Sequence, residues 1–354
     1  MKIGSDGIVK NNKVDIIEHD YRLDIIRCIA MFFIVTAHFA YSFQMTDSIL
    51  YRYKNGGWGS VGTAIFFILS GYCLQIKKWN FSSKKEQFLF YKKRFFSIYP
   101  LLWLTFILGY VTNSLILGDF KYGGNPLLII LSFLGIDGYA TYFGVKGYYV
   151  IGEWFTAIII FVYLLYPLIH YLFSRFRIGT TIILGVCYFL NVFVCKTLPP
   201  DISIFTGLFL FWIGMLIHEY KDRLSGRKTL LIITSLLISV IVIFVPLPYW
   251  NSSLPWKNLL ALCIFMLIYL LSSNMKYRNR KANDFLKFEG KLCYAVYLCH
   301  HALIYWVPMF LSKNGIDITS KILLYIIILI VIEVVASILF FISHRCTSWG
   351  RKKQ

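Results

Sequence analysis

The apolar positions of this 354-residue chain gather into long blocks instead of spreading through it. The blocks run at about 25–43, 61–76, 95–117, 150–173, 179–195, 204–220, 229–247, 258–273, 292–311 and 319–343. Blocks of about 17 to 25 residues match the helix length that crosses a hydrocarbon core of roughly 30 Å. They predict an all-α integral membrane protein, a bundle of about ten transmembrane helices. A further apolar stretch, Pro126 to Ile136, is too short to cross and stops at Asp137-Gly138. It reads as re-entrant or interfacial, within a structured external region from about 118 to 149. An eleven-span order is the competing reading.

Composition agrees with the blocks. The chain is 58% hydrophobic and only 15% charged, against roughly 25% charged in a soluble domain. The net charge of +19 would suit nucleic acid, but the basic residues cluster between the apolar blocks, where membrane topology uses them. No nucleic-acid partner is expected; the bilayer is. With the N-terminus inside, 27 of the 36 Lys and Arg residues fall in cytoplasmic segments and eight in external loops. That split predicts both termini cytoplasmic. The expected layout is a cytoplasmic tail at 1–20, a membrane domain at 21–343 and a basic cytoplasmic tail at 344–354. The first twenty residues are polar, so insertion is expected to use the first membrane helix rather than a signal peptide. The eight cysteines show no zinc-type spacing, and no metal is expected. Nothing in the sequence specifies an oligomeric state.

Ionisable groups inside spans are costly and mark candidate sites. The first block carries Asp24, Arg27 and His38. Arg27 and His38 are eleven residues apart, which brings them within about 20° of one helix face and separates them by roughly 16 Å along the axis. Asp24 lies one turn from Arg27, at pairing distance. Interfacial anchoring of the ion pair and an interhelical hydrogen bond at His38 are the plainer readings. The second block holds Gly62 to Tyr72, with Ser70-Gly71, small residues that also suit close packing. Lys92, Lys93 and Arg94 enter the third block, as a positive-inside signal or a phosphate site. His170, His218 and His344 sit at helix ends and read as interfacial. Glu333, deep in the last block, calls for a cation across the bundle.

In chain order these features resemble the acyltransferase 3 family, membrane acyltransferases that often O-acetylate bacterial surface polysaccharides. Arg27 and His38 reproduce its R-x10-H pattern, preceded by Leu23-Asp24. Phe66-Phe67 with Ser70-Gly71 resembles its second-helix segment, and Lys93-Arg94 through Tyr99-Pro100 its basic segment. Trp154 through Tyr163 to Pro167 is similar to its W…YLL-P helix, and Tyr294, Tyr297, Leu298 and His300 match its late motif. The likeness runs from about 21 to 343. Ser97 stands where a second arginine is expected, and Ile159-Ile160 where many members carry glutamates. Glu153 beside Trp154 would supply a substitute carboxylate.

The resemblance implies transfer of an acyl group, most often acetyl, from cytoplasmic acetyl-CoA to a hydroxyl of a surface glycan or its lipid-linked precursor, in the plasma membrane of a bacterium. His38 would act as base or as acyl carrier. Arg27, held by Asp24, would bind donor phosphate or polarise a carbonyl, with Glu153 completing the catalytic set. Arg94, Lys93, Ser70, Trp154, Tyr297 and His300 would bind substrate. His301 is turned about 100° from His300 on a helix, so one of the two is expected to line the site. The rival class is a transporter or flippase of lipid-linked glycans; no pair of matching broken helices, its usual mark, is visible.

Overall fold

A computed structural model describes residues 19–120, 125–145, 148, 151, 154–195, 198–248, 252–272 and 280–352. It is helical almost throughout: α1 (Tyr21–Ser42), α2 (Trp58–Ile76), α3 (Lys84–Leu117), α4 (Ile129–Leu134), α5 (Asp137–Ala140), α6 (Trp154–Arg175), α7 (Arg177–Phe193), α8 (Ile204–Glu219), α9 (Lys221–Gly226), α10 (Lys228–Phe244), α11 (Leu254–Leu271), α12 (Arg280–Lys313) and α13 (Lys321–Lys352). A two-residue antiparallel pair, β1 (Arg52–Tyr53) and β2 (Gly56–Gly57), closes the turn before α2. Every apolar block of the sequence falls on a helix. Among the described residues, seven helices are long and apolar enough to cross a membrane, and α7, α8 and α10 are apolar but only 16 or 17 residues long.

The helix starts follow local capping chemistry. Asp20 accepts from the backbone N–H of Arg22 at the head of α1. Ser83 and Glu86 form a reciprocal capping box on α3, and Gly118 ends that helix at φ 68°, a conformation that costs a glycine little.

Helix α2 is the hub. A Cβ on Gly62 would stand 2.5 Å from the Ala30 carbonyl of α1. A Cβ on Gly71 would stand 1.9 Å from the Phe211 carbonyl of α8, and one on Gly214 the same distance from the Ile68 carbonyl. These glycines let three backbones approach to contact, the packing that membrane bundles use where water supplies no hydrophobic drive. Two apolar clusters result. One gathers α2, α6, α8 and α11 with the first halves of α1 and α3; the other gathers the later parts of α1 and α3 with α12 and α13. The long exposed aliphatic stripes of α7, α10 and α13 suit lipid contact.

The stretch after α3 is inserted in the bundle. Residues 126–134 and 137–143 meet at an angle of 115°, with Gly135 at φ 73° at the bend. Gly135 packs on Leu102, Thr156 and Ile160. Trp103 Nε1 donates to the Phe133 carbonyl (2.8 Å) and Tyr99 OH to that of Leu134 (3.2 Å). Tyr99 lies 19 residues before Gly118, about 28 Å along a helix axis, so the bend reaches far down α3. Part of the region expected to cover the external surface therefore wedges between α3 and α6.

Candidate active site

Two groups of functional side chains stand on one line of α1. The lower group begins at Asp24, which is 2% exposed. Its Oδ1 accepts from Arg27 Nη1 at 2.6 Å, and its Oδ2 meets His19 Nε2. Arg27 Nη2 also reaches Cys73 Sγ of α2 (3.3 Å). A buried charge must be paired to be tolerated, and the i,i+3 spacing supplies the pair locally. Gly290 of α12 lies against Asp24: a Cβ there would be 2.3 Å from Oδ1.

Arg27 sits at the junction of two cavities. The larger, about 1070 Å³, opens where α1 and α12 begin and α2, α8 and α11 end. Seven cationic side chains line it, among them Arg27, Arg94, Lys77 and Lys287, against the carboxylates Asp20 and Asp222. Asp20 is already paired with Arg22 (2.7 Å). Arg94 lies over the Tyr163 ring at 5.5 Å, and its buried Nε has no hydrogen-bond partner among the described residues. Burial, and then the Arg94 cation, lower the Lys77 ammonium below the usual lysine value. An excess of positive charge, with the Arg94 Nε donor free, fits an anionic, phosphate-bearing ligand.

The smaller cavity, about 210 Å³, shares Arg27, Phe66, Ser70 and Tyr163 with the first and runs inward to Tyr294 and Tyr297. Ile159 and Phe155 form part of its wall. Ser97 faces it too, and donates to the Arg94 carbonyl (2.8 Å).

The upper group is histidine. His38 Nδ1 and His300 Nε2 are 2.8 Å apart, and His300 Nδ1 is 2.6 Å from the Tyr297 carbonyl. A carbonyl only accepts, so His300 carries its proton on Nδ1 and, as a neutral ring, leaves a lone pair on Nε2. His38 must then donate from Nδ1, which directs its own lone pair to Nε2. The chain of bonds fixes one tautomer for each ring. His301 joins them, with its ring centroid 4.1 Å from that of His38 and 4.7 Å from that of His300. Neighbours on a helix do diverge by about 100°, but the α1 residue lies between the two directions, so both rings reach it. The expectation that one of the pair would line the site is thereby corrected.

The remaining expected site residues disperse. Ser70 faces both cavities while its hydroxyl donates back to the Phe66 carbonyl (2.8 Å). Tyr297 is in the wall of the smaller cavity. Lys93 lines neither, and its ammonium lies 5.0 Å above the Trp79 ring. Trp154 packs against Phe67 and Phe155 and lines neither cavity. Glu153 lies outside the described residues. Glu333 meets Glu289 where a cation was anticipated, and both line a separate cavity near the lipid-facing Phe32. Sequence reasoning missed Tyr163, Lys77 and Lys287 as cavity residues, and read His218 as an interfacial anchor. His218 lines the large cavity with its ring edge on Tyr72.

A family model described as an acyltransferase domain matches residues 20–341. The chain belongs to the acyltransferase 3 family. It is thus a multi-pass membrane acyltransferase, and the matched span takes in the three histidines and every residue of both cavities except His19. Comparison with curated proteins and with solved structures gave no match.

Proposed function

We propose that this acyltransferase moves an acetyl group from acetyl-CoA to a hydroxyl of a surface polysaccharide or its lipid-linked precursor, with His38 as the general base. The observation that carries the reading is the bonded series Tyr297 carbonyl, His300, His38, which leaves His38 Nε2 as a proton acceptor. A sugar hydroxyl is a poor nucleophile until a base takes its proton. As His38 Nε2 accepts that proton, the charged ring keeps its Nδ1–H on the His300 lone pair. His300 is held in turn by the backbone of its own helix, so the cation forms without reorganisation. The hydroxyl oxygen then adds to the thioester carbon, and collapse of the tetrahedral adduct expels the thiolate.

Spacing supports the donor that the family resemblance implies. A ligand that touches Arg27 and presents a carbonyl to His38 must bridge roughly 16 Å. Acetyl-CoA has that form: phosphates for the large basic cavity, and a slender pantetheine arm for the narrow one. Arg27 stands too far from His38 to polarise the reacting carbonyl, which favours phosphate or pantetheine binding as its role. Lys93, Trp154 and Glu153 have no part in this reading.

The basic cavity belongs on the cytoplasmic side by the distribution of Lys and Arg. If α7, α8 and α10 also cross, the spans number ten and both termini lie in the cytoplasm, in a bacterial plasma membrane. Mass spectrometry of surface glycan from a deletion strain tests the reading. Loss of acetyl groups with unchanged glycan export supports it. Loss of export with acetylation intact on the retained precursor would assign the chain to transport instead.

A further inference from the structure

We infer that His38, His300 and His301 form a binding site for a borderline-soft divalent cation such as Zn2+, and that its occupancy silences acyl transfer. The second clause rests on the role proposed for His38; the first does not. One ligand atom from each ring lies within 4.8 Å of the other two. His300 already presents Nε2 in the ligating tautomer, because its Nδ1–H is held by the Tyr297 carbonyl. A backbone carbonyl behind a ligand imidazole is the usual support of a metal-bound histidine. Zinc bonds of about 2.0–2.1 Å in a tetrahedron set donor atoms about 3.4 Å apart. The 2.8 Å between His38 Nδ1 and His300 Nε2 must therefore open by about half an ångström, and the widest separation, up to 4.8 Å, must close by about 1.4 Å, movements that ring rotation supplies.

Ligation balances without releasing a proton. The His38 proton moves from Nδ1 to Nε2, Nδ1 binds the ion, and three neutral nitrogens fill three positions. The fourth position is open to water. His38 Nε2 then carries a hydrogen and no lone pair, so the base is lost while the ion remains. The three rings come from two helices, α1 and α12, that pack along each other, so the ligands need no loop to converge.

The test uses the full chain in detergent or nanodiscs, titrated with Zn2+ by calorimetry and with Co2+ by visible absorption. The expected result is one ion per chain with tetrahedral Co2+ bands. His300→Gln and His301→Gln should each weaken binding by more than about tenfold, at least the loss seen when a mere supporting group is removed. Thermal melting without metal checks that each variant is folded; a single surviving folded variant suffices. Acetyl-CoA turnover by wild type should fall as Zn2+ saturates and return with EDTA. Absence of saturable binding, or binding that survives both substitutions, overturns the site. Saturation with unchanged turnover overturns the silencing. A wild-type protein that binds Zn2+ but never turns over acetyl-CoA would instead count against the proposed function.

Discussion

Gly290→Ala tests whether Arg27 is held by packing as well as by charge. The added Cβ would meet Asp24 Oδ1 at 2.3 Å, Cγ at 2.7 Å and Cβ at 2.8 Å. Ordinary contact requires the carboxylate to retreat by about 1 Å. Asp24 is nearly fully buried, so the shift passes to Arg27 through their 2.6 Å bond. Overpacking of this kind costs about 1–3 kcal/mol of stability. A displacement of about 1 Å in a positioning group can cost about 100-fold in rate. The assay is acetyl-CoA turnover by purified protein in nanodiscs, alongside thermal melting. We expect kcat/KM for acetyl-CoA to fall by about two orders of magnitude while the protein stays folded. Gly185→Ala, where a Cβ meets nothing within 4 Å, is the control and should keep wild-type turnover. A folded Gly290→Ala enzyme within about threefold of wild type would refute the claim that this ion pair is set by the α12 backbone.

Three further outcomes are expected. Arg94→Ala removes a charged donor, worth about 1.5–3 kcal/mol when bonded, and should raise KM for acetyl-CoA by about 10- to 150-fold with little change in kcat; steady-state kinetics reads both. Lys77 has a lowered pKa, and an anionic donor favours its charged form. Donor affinity should therefore fall as pH rises through the Lys77 value, with proton uptake on binding measurable by calorimetry in buffers of different ionisation enthalpy; Lys77→Met should abolish both. His300→Gln should lower kcat by about 100-fold or more with KM for acetyl-CoA unchanged, since His300 positions the base and lines neither donor cavity.

Much of the fold was legible because membrane insertion writes itself into block length: each apolar run became a helix. What block length cannot show is the bend at Gly135, which depends on where α3 and α6 leave room. The Asp24–Arg27 pair was legible from helical spacing, and the family motifs singled out His38 and His300. His301 was not, since angular spacing on one helix says nothing about a ring approaching from another. Lys93 and Arg94 are adjacent cations, and only the packing around Tyr163 selects the arginine for the cavity. Lys77, Lys287 and His218 lie in segments that read as topology signals, and they acquire a shared role only where five helix ends converge. Glu333 shows the reverse case: a lone carboxyl in an apolar block asks for a cation, and α12 supplies Glu289 instead.

The most direct measurement is O-acetyl content of surface glycan in a strain whose only copy is His38→Gln, with membrane expression checked by immunoblot. Loss of the His38 imidazole removes the Nε2 acceptor and breaks the bonded series to His300, so acetylation should drop to the level of the deletion strain while glycan export continues. Acetylation at the wild-type level in that strain would contradict the role assigned to His38.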